Sequence, residues 1–167
     1  MSKAPARVYA GRMALTPSIN PRIVETLYGH ALALADEVRD RFERLRREAV
    51  GEPDELLRVQ FSCEALRTTT RVMHCLAWLL NHRAYFAGEL TELQLRRHGR
   101  LIAHFPRSEP DAIAALPADA AELVRESERI YERIQRLENA WRGDAAAGPS
   151  AIDRLRERLA SAMREAG

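Results

Sequence analysis

The stretch from Ser62 to Glu89, SCEALRTTTRVMHCLAWLLNHRAYFAGE, is apolar on nearly every side when wound as a helix, so it can fold only if it is wrapped. Read at a seven-residue repeat, Val59, Leu66, Met73 and Leu80 form one stripe, and Ala65, Val72, Leu79 and Phe86 form a second. A further stripe of small side chains, Cys63, Thr70, Ala77 and Ala84, lets a neighbouring backbone approach closely. The pattern predicts that Leu66, Val72, Met73, Leu76 and Leu79 are largely buried. It also asks for more cover than two neighbouring helices supply, which a second copy of the chain would provide.

The remaining face of the same helix carries Glu64, Arg67, Arg71, His74, Trp78, Asn81 and Tyr85, again three and four residues apart. These are the candidate protein-interface residues, with Arg71 and Trp78 at their centre, because Arg and Trp bury much area while keeping directed polar contacts. The competing expectation is that Trp78 packs beneath the connection from Arg97 to Pro117, with Arg71 paired to Glu64 or to an acid on another helix. The threonines Thr68 to Thr70 need no ligand, since a hydroxyl within a helix can bond the preceding turn.

Around this segment the chain divides simply. Residues 1–18 read as a loosely held arm, residues 19–142 as a three-helix-bundle domain, and residues 143–167 as a linker with a C-terminal amphipathic helix. Asn20 and Pro21 supply a helix start, and Leu27, Ala31, Leu34, Val38, Phe42, Leu45 and Ala49 form the core stripe of a helix running to about Val50. Gly51 to Asp54 make a short connection, so the central helix, from about Asp54 to Ala87, is an antiparallel neighbour of the first. Gly88 is placed to stop it. Thr91 with Gln94 opens a short helix ending near His98 and Gly99. Pro106, Pro110 and Pro117 mark a surface connection in which DAIAAL makes a turn or two. The third long helix follows Pro117, with Leu123, Ser127, Ile130, Ile134, Leu137 and Trp141 as its stripe. The fold class is therefore all-α, three long antiparallel helices with a short helix in the return connection. After the DAAAGPS linker, Ile152, Leu155, Leu159 and Met163 recur on one side of the terminal segment. That stripe can lie reversibly in a groove or on a partner chain, pack on its own bundle, or fray.

The chemistry-bearing motifs of enzymes are missing. The sequence has no glycine-rich phosphate loop, no Cys-x-x-Cys pair and no nucleophile elbow. None of His30, His74, His82, His98 and His104 has a Glu three positions before it, the pairing by which bundles hold metals. No catalytic residue, metal or cofactor is expected. A net charge of +2 from 26 basic and 24 acidic residues favours neither nucleic acid nor membrane. Cys63 and Cys75, about 18 Å apart on one helix, cannot bridge each other and are expected as buried reduced thiols. With no signal-length apolar run, a cytoplasmic location is expected.

RTTTRVMHCLAWLLNHRAYFAGEL, from Arg67 to Leu90, resembles the central helix of the alphaproteobacterial regulator-of-CtrA-degradation (RcdA) family, in which a Thr-Thr-x-Arg element precedes Trp-Leu-Leu and a Gly-Glu terminus. LYGHALALADEV, from Leu27 to Val38, resembles the first helix of that family, and SERIYERIQRL, from Ser127 to Leu137, its last. The resemblance implies a helical homodimer acting as an adaptor that delivers protein clients to the ClpXP protease in cell-cycle control. It also implies ClpX and a single-domain response regulator as partners. A DNA-binding regulator centred on Arg96, Arg97, His98 and Arg100, or a helical scaffold for another partner, is the alternative. Generic DNA binding would betray itself by a steep salt dependence.

Overall fold

The computed structural model describes residues 19–51 and 54–146. The N-terminal arm and the C-terminal stripe of Ile152, Leu155, Leu159 and Met163 lie outside the described residues. The described chain is helical: α1 (Pro21–Glu48), a 3-10 turn (Ala49–Gly51), α2 (Glu55–Phe86), α3 (Glu92–His98), α4 (Pro110–Ala114) and α5 (Ala118–Ala146). No described helix is long and apolar enough to cross a membrane.

Local chemistry sets most boundaries. The Asn20 side chain accepts from the Arg22 N–H at 2.9 Å, and Pro21 occupies the first turn of α1. Asp54 caps α2 by accepting from the Leu57 N–H at 3.2 Å. Gly88, at φ 78°, ends α2 in the left-handed region, where the Glu89 N–H reaches back to the Ala84 carbonyl. Thr91 and Gln94 form a reciprocal capping box on α3. The final helix runs to Ala146, a little into the stretch expected as linker.

The core is built from the expected stripe of α1 packed against α2 and α5. Leu27, Ala31, Leu34, Val38, Phe42 and Leu45 are buried, together with Val72, Leu76 and Leu79 of α2 and Val124, Ile130 and Ile134 of α5. Cys75 is enclosed with them, and burial pushes its thiol up to about 12. Cys63 is exposed, contrary to the expectation for both thiols, on the stripe of α2 that also carries Thr70, Ala77 and Ala84.

Two expectations about the bundle are corrected. Leu66 and Met73 are 70% and 56% exposed instead of buried, and Val59 and Leu80 are exposed with them. The helices are also not all antiparallel. Arg71 meets Ser127 and Trp78 meets Glu138, so α5 runs parallel to α2, while Arg41 meets Asp119 and His30 meets Glu126, so it runs antiparallel to α1. The long return through α3 and α4 makes this possible, since it carries the chain back along the bundle before α5 begins.

Candidate functional site

The polar face of α2 is turned inward. Arg71, 1% exposed, donates from Nη1 to Ser127 Oγ at 2.7 Å and from Nη2 to the Pro106 carbonyl at 3.1 Å and to Ser108 Oγ at 3.3 Å. Glu128 lies 3.5 Å away, and the guanidinium stands over the Phe105 ring at 5.3 Å. Burial lowers the Arg71 pKa from its ordinary value, and Glu128 and Glu64 oppose that shift. The Ser108 hydroxyl donates to Glu64, its N–H donates to Glu128 at 2.9 Å, and Arg67 donates to Glu64 at 2.8 Å. The whole constellation fastens the connection between α3 and α5 onto the bundle.

One heptad further on, Trp78 Nε1 donates to Glu138 at 2.6 Å, and Glu138 also accepts from Arg142. The His82 ring stacks on Trp78 at 3.6 Å, and its Nδ1–H donates to the Trp78 carbonyl at 2.9 Å. The edge of Trp141 meets the other side of the imidazole. Burial lowers the His82 pKa, chiefly against the opposing Trp78 carbonyl and Glu138.

The interface candidates Glu64, Arg71 and Trp78 are therefore interior residues, a correction with a clear cause: their polar atoms find partners on α5 and on the connection, leaving none for a partner chain. Arg67, His74, Asn81 and Tyr85 are half-buried. His74 packs edge-on against Phe105 at 5.7 Å. The signal for this inward turn was a serine in each partner segment: Ser127 within an apolar stripe and Ser108 between prolines.

What faces outward is apolar. Leu56, Val59, Cys63, Leu66, Met73, Ala77 and Leu80 are exposed and Thr70 and Ala84 half-exposed, at alternating three- and four-residue intervals along the full length of α2. That alternation is the seam pattern by which one helix packs on another. The stripe of Val59, Leu66, Met73 and Leu80 and the small-residue stripe of Cys63, Thr70, Ala77 and Ala84 thus form a single surface opposite the core, whereas Val72 and Leu79 of the other apolar stripe are buried. Leu56 extends the seam and was not among the sequence candidates.

A second apolar feature lies where α1 and α2 turn into each other. Asp119, in the first turn of α5, accepts from Arg41 Nε at 2.6 Å. The last turns of α1 and the first turns of α2 therefore run on past the start of the third long helix. Between them lies a groove of about 650 Å³ lined by Phe42, Leu45, Val50, Val59, Phe61 and Leu66.

Among the described residues no three His, Cys, Asp or Glu side chains come together as a metal site would require. Arg96 is held by Glu92 and lies over the Trp141 ring at 4.8 Å, which takes it out of the short basic run Arg96, Arg97, His98 and Arg100.

A family model described as "Protein of unknown function (DUF1465)" matches residues 15–163. The chain belongs to the DUF1465 family. Among curated proteins and solved structures, none matches the chain. The DUF1465 match takes in the outward seam, the groove and the polar clamp behind them, and it continues through the terminal stripe to Met163.

Proposed function

We propose that this DUF1465 chain is a non-enzymatic protein-interaction adaptor, a homodimer resembling RcdA that delivers selected regulatory proteins to the ClpXP protease. The observation that carries the reading is the outward seam of α2, a continuous apolar stripe on a helix whose opposite face already fills the core. Scattered exposed apolar residues need no explanation, whereas a contiguous stripe of them marks an interaction surface. A second copy is the simplest occupant, since a twofold axis lets the same stripe cover itself.

Two features support an adaptor over a catalyst. Arg71, Glu64 and Trp78 are engaged with partners inside the bundle, and the groove between α1 and α2 is lined mainly by apolar side chains. The ClpXP assignment rests on the resemblance of Arg67 to Leu90, Leu27 to Val38 and Ser127 to Leu137 to the RcdA helices. The test is to trap proteins in proteolytically inactive ClpXP in cells with and without this chain. The reading expects a defined subset of clients to be lost when the chain is absent. An unchanged set of trapped proteins would reject delivery.

A further inference from the structure

We infer that the two α2 helices of the dimer run antiparallel, with Leu80 of each copy seated against Cys63 in the α1–α2 groove of the other. The inference rests on the dimer reading and adds its orientation and register. The groove and the seam are one continuous surface, because Val59, Cys63 and Leu66 belong to both. The large side chains of the seam run from 47% exposed at Leu80 to 70% at Leu66. With Leu56 they offer roughly 600 Å² per copy, which brings a pair of copies to the size of a specific interface.

A side chain that enters a helical seam sits among four residues of the facing helix. Around Cys63 those four are Val59, Ser62, Cys63 itself and Leu66, and all of them line the groove of about 650 Å³, with Phe42 and Leu45 of α1 beside them. The hole is deep because its floor is a cysteine, and it asks for a large apolar side chain. The seam itself carries such side chains, on the stripe of Val59, Leu66, Met73 and Leu80.

Orientation decides which of them fills it. A twofold pairing in parallel sets each seam position against itself. Cys63 then meets Cys63 and Leu66 meets Leu66, so gaps alternate with crowding and the groove stays open. In an antiparallel pair each residue of the small stripe faces one of the large stripe. With Thr70 facing Met73, the other layers are Leu66 on Ala77, Cys63 on Leu80 and Val59 on Ala84, a large side chain against a small one every time. Sliding one helix by seven residues sets Leu56 on Leu80, large on large, and sliding it the other way carries the groove beyond the end of the partner helix. The antiparallel pair also opposes the two helix dipoles.

The experiment uses the full chain and the thiols of the seam. In this register the two Cys63 side chains are offset by the 17 residues that separate Cys63 from Leu80, about 25 Å along the axis and beyond the reach of a disulfide. L80C instead brings a new thiol opposite the partner's Cys63. The buried Cys75 thiol, pushed up to about 12, stays out of the exchange. Under mild oxidation with diamide the expected result is a covalent dimer for L80C and none for the native chain or for C63S/L80C. Covalent dimers of the native chain, or equal linkage in C63S/L80C, overturn the register. A size swap covers the case in which L80C loosens the pair. L80A should weaken dimerisation about tenfold or more, and C63L/L80A should restore it by returning a large side chain to the same layer. Absence of that rescue overturns the seating of Leu80 on Cys63. Light scattering of the native chain keeps the two failures apart. A dimer that fails these tests rejects the register and leaves the dimer reading standing, whereas a monomer mass rejects the dimer reading and the register with it.

Discussion

Arg71 is a charged residue made interior by the number of its partners. Four acceptors on α5 and on the connection surround its guanidinium, while Glu64 is held by Ser108 and Arg67. Removing one member of such a group strands the others without water. Arg71→Ala is therefore expected to cost about 3–5 kcal/mol in denaturant unfolding, and an unchanged midpoint would contradict the clamp. Arg71→Lys is also destabilising, because a point charge cannot serve acceptors spread around a planar fork. His82 makes a pH prediction. Burial holds its folded pKa below the ordinary 6.5, so the folded state binds fewer protons than the unfolded state as the pH falls through that value. Stability is complete above about pH 6.5 and erodes below it. Thermal melts between pH 7 and 5 should show a smaller loss for His82→Phe, which keeps the ring stack on Trp78, than for the native chain. Parallel slopes would remove His82 as the cause.

At the scale of elements, α2 separates two kinds of apolar residue that sequence spacing makes identical. Leu79 is fully enclosed among α1, α2 and α5, whereas Leu66 faces outward near the middle of the seam. Leu79→Ala should cost about 2–5 kcal/mol by leaving a cavity. Leu66→Ala should leave the fold of the single chain within about 0.5 kcal/mol and act on association instead. Equal losses in dilute protein would contradict the assignment of faces. The same contrast explains what was legible in the sequence. Asn20, Asp54, Thr91 and Gly88 mark helix ends through bonds to the adjacent backbone, so their local sequence is enough. The stripe of α1 was legible because a single apolar face leaves no choice. The orientation of α2 was not, since Val59, Leu66, Met73 and Leu80 repeat every seven residues as Glu64, Arg71, Trp78 and Tyr85 do. The inner face is chosen by partners far away in sequence, Ser108, Ser127, Glu128 and Glu138, which satisfy the polar set and leave the apolar set outside.

At the scale of the molecule, the described residues pack around a hydrophobic core, and an uncovered apolar face runs the length of the central helix. An aspartate placed in the middle of the seam would be desolvated without a partner whenever two copies meet, while in a single chain it would sit in water. Association should weaken roughly 30- to 1000-fold, the equivalent of about 2–4 kcal/mol at a central interface position. The clearest measurement is light scattering across a concentration series for the full chain and for the L66D/M73D double variant, with circular dichroism on both. The account predicts twice the 18.9 kDa chain mass for the native protein at micromolar concentration, and the single-chain mass with unchanged helix content for the variant. A native protein that stays monomeric, or a variant that remains dimeric, would contradict the claim that the outward face of α2 joins two copies.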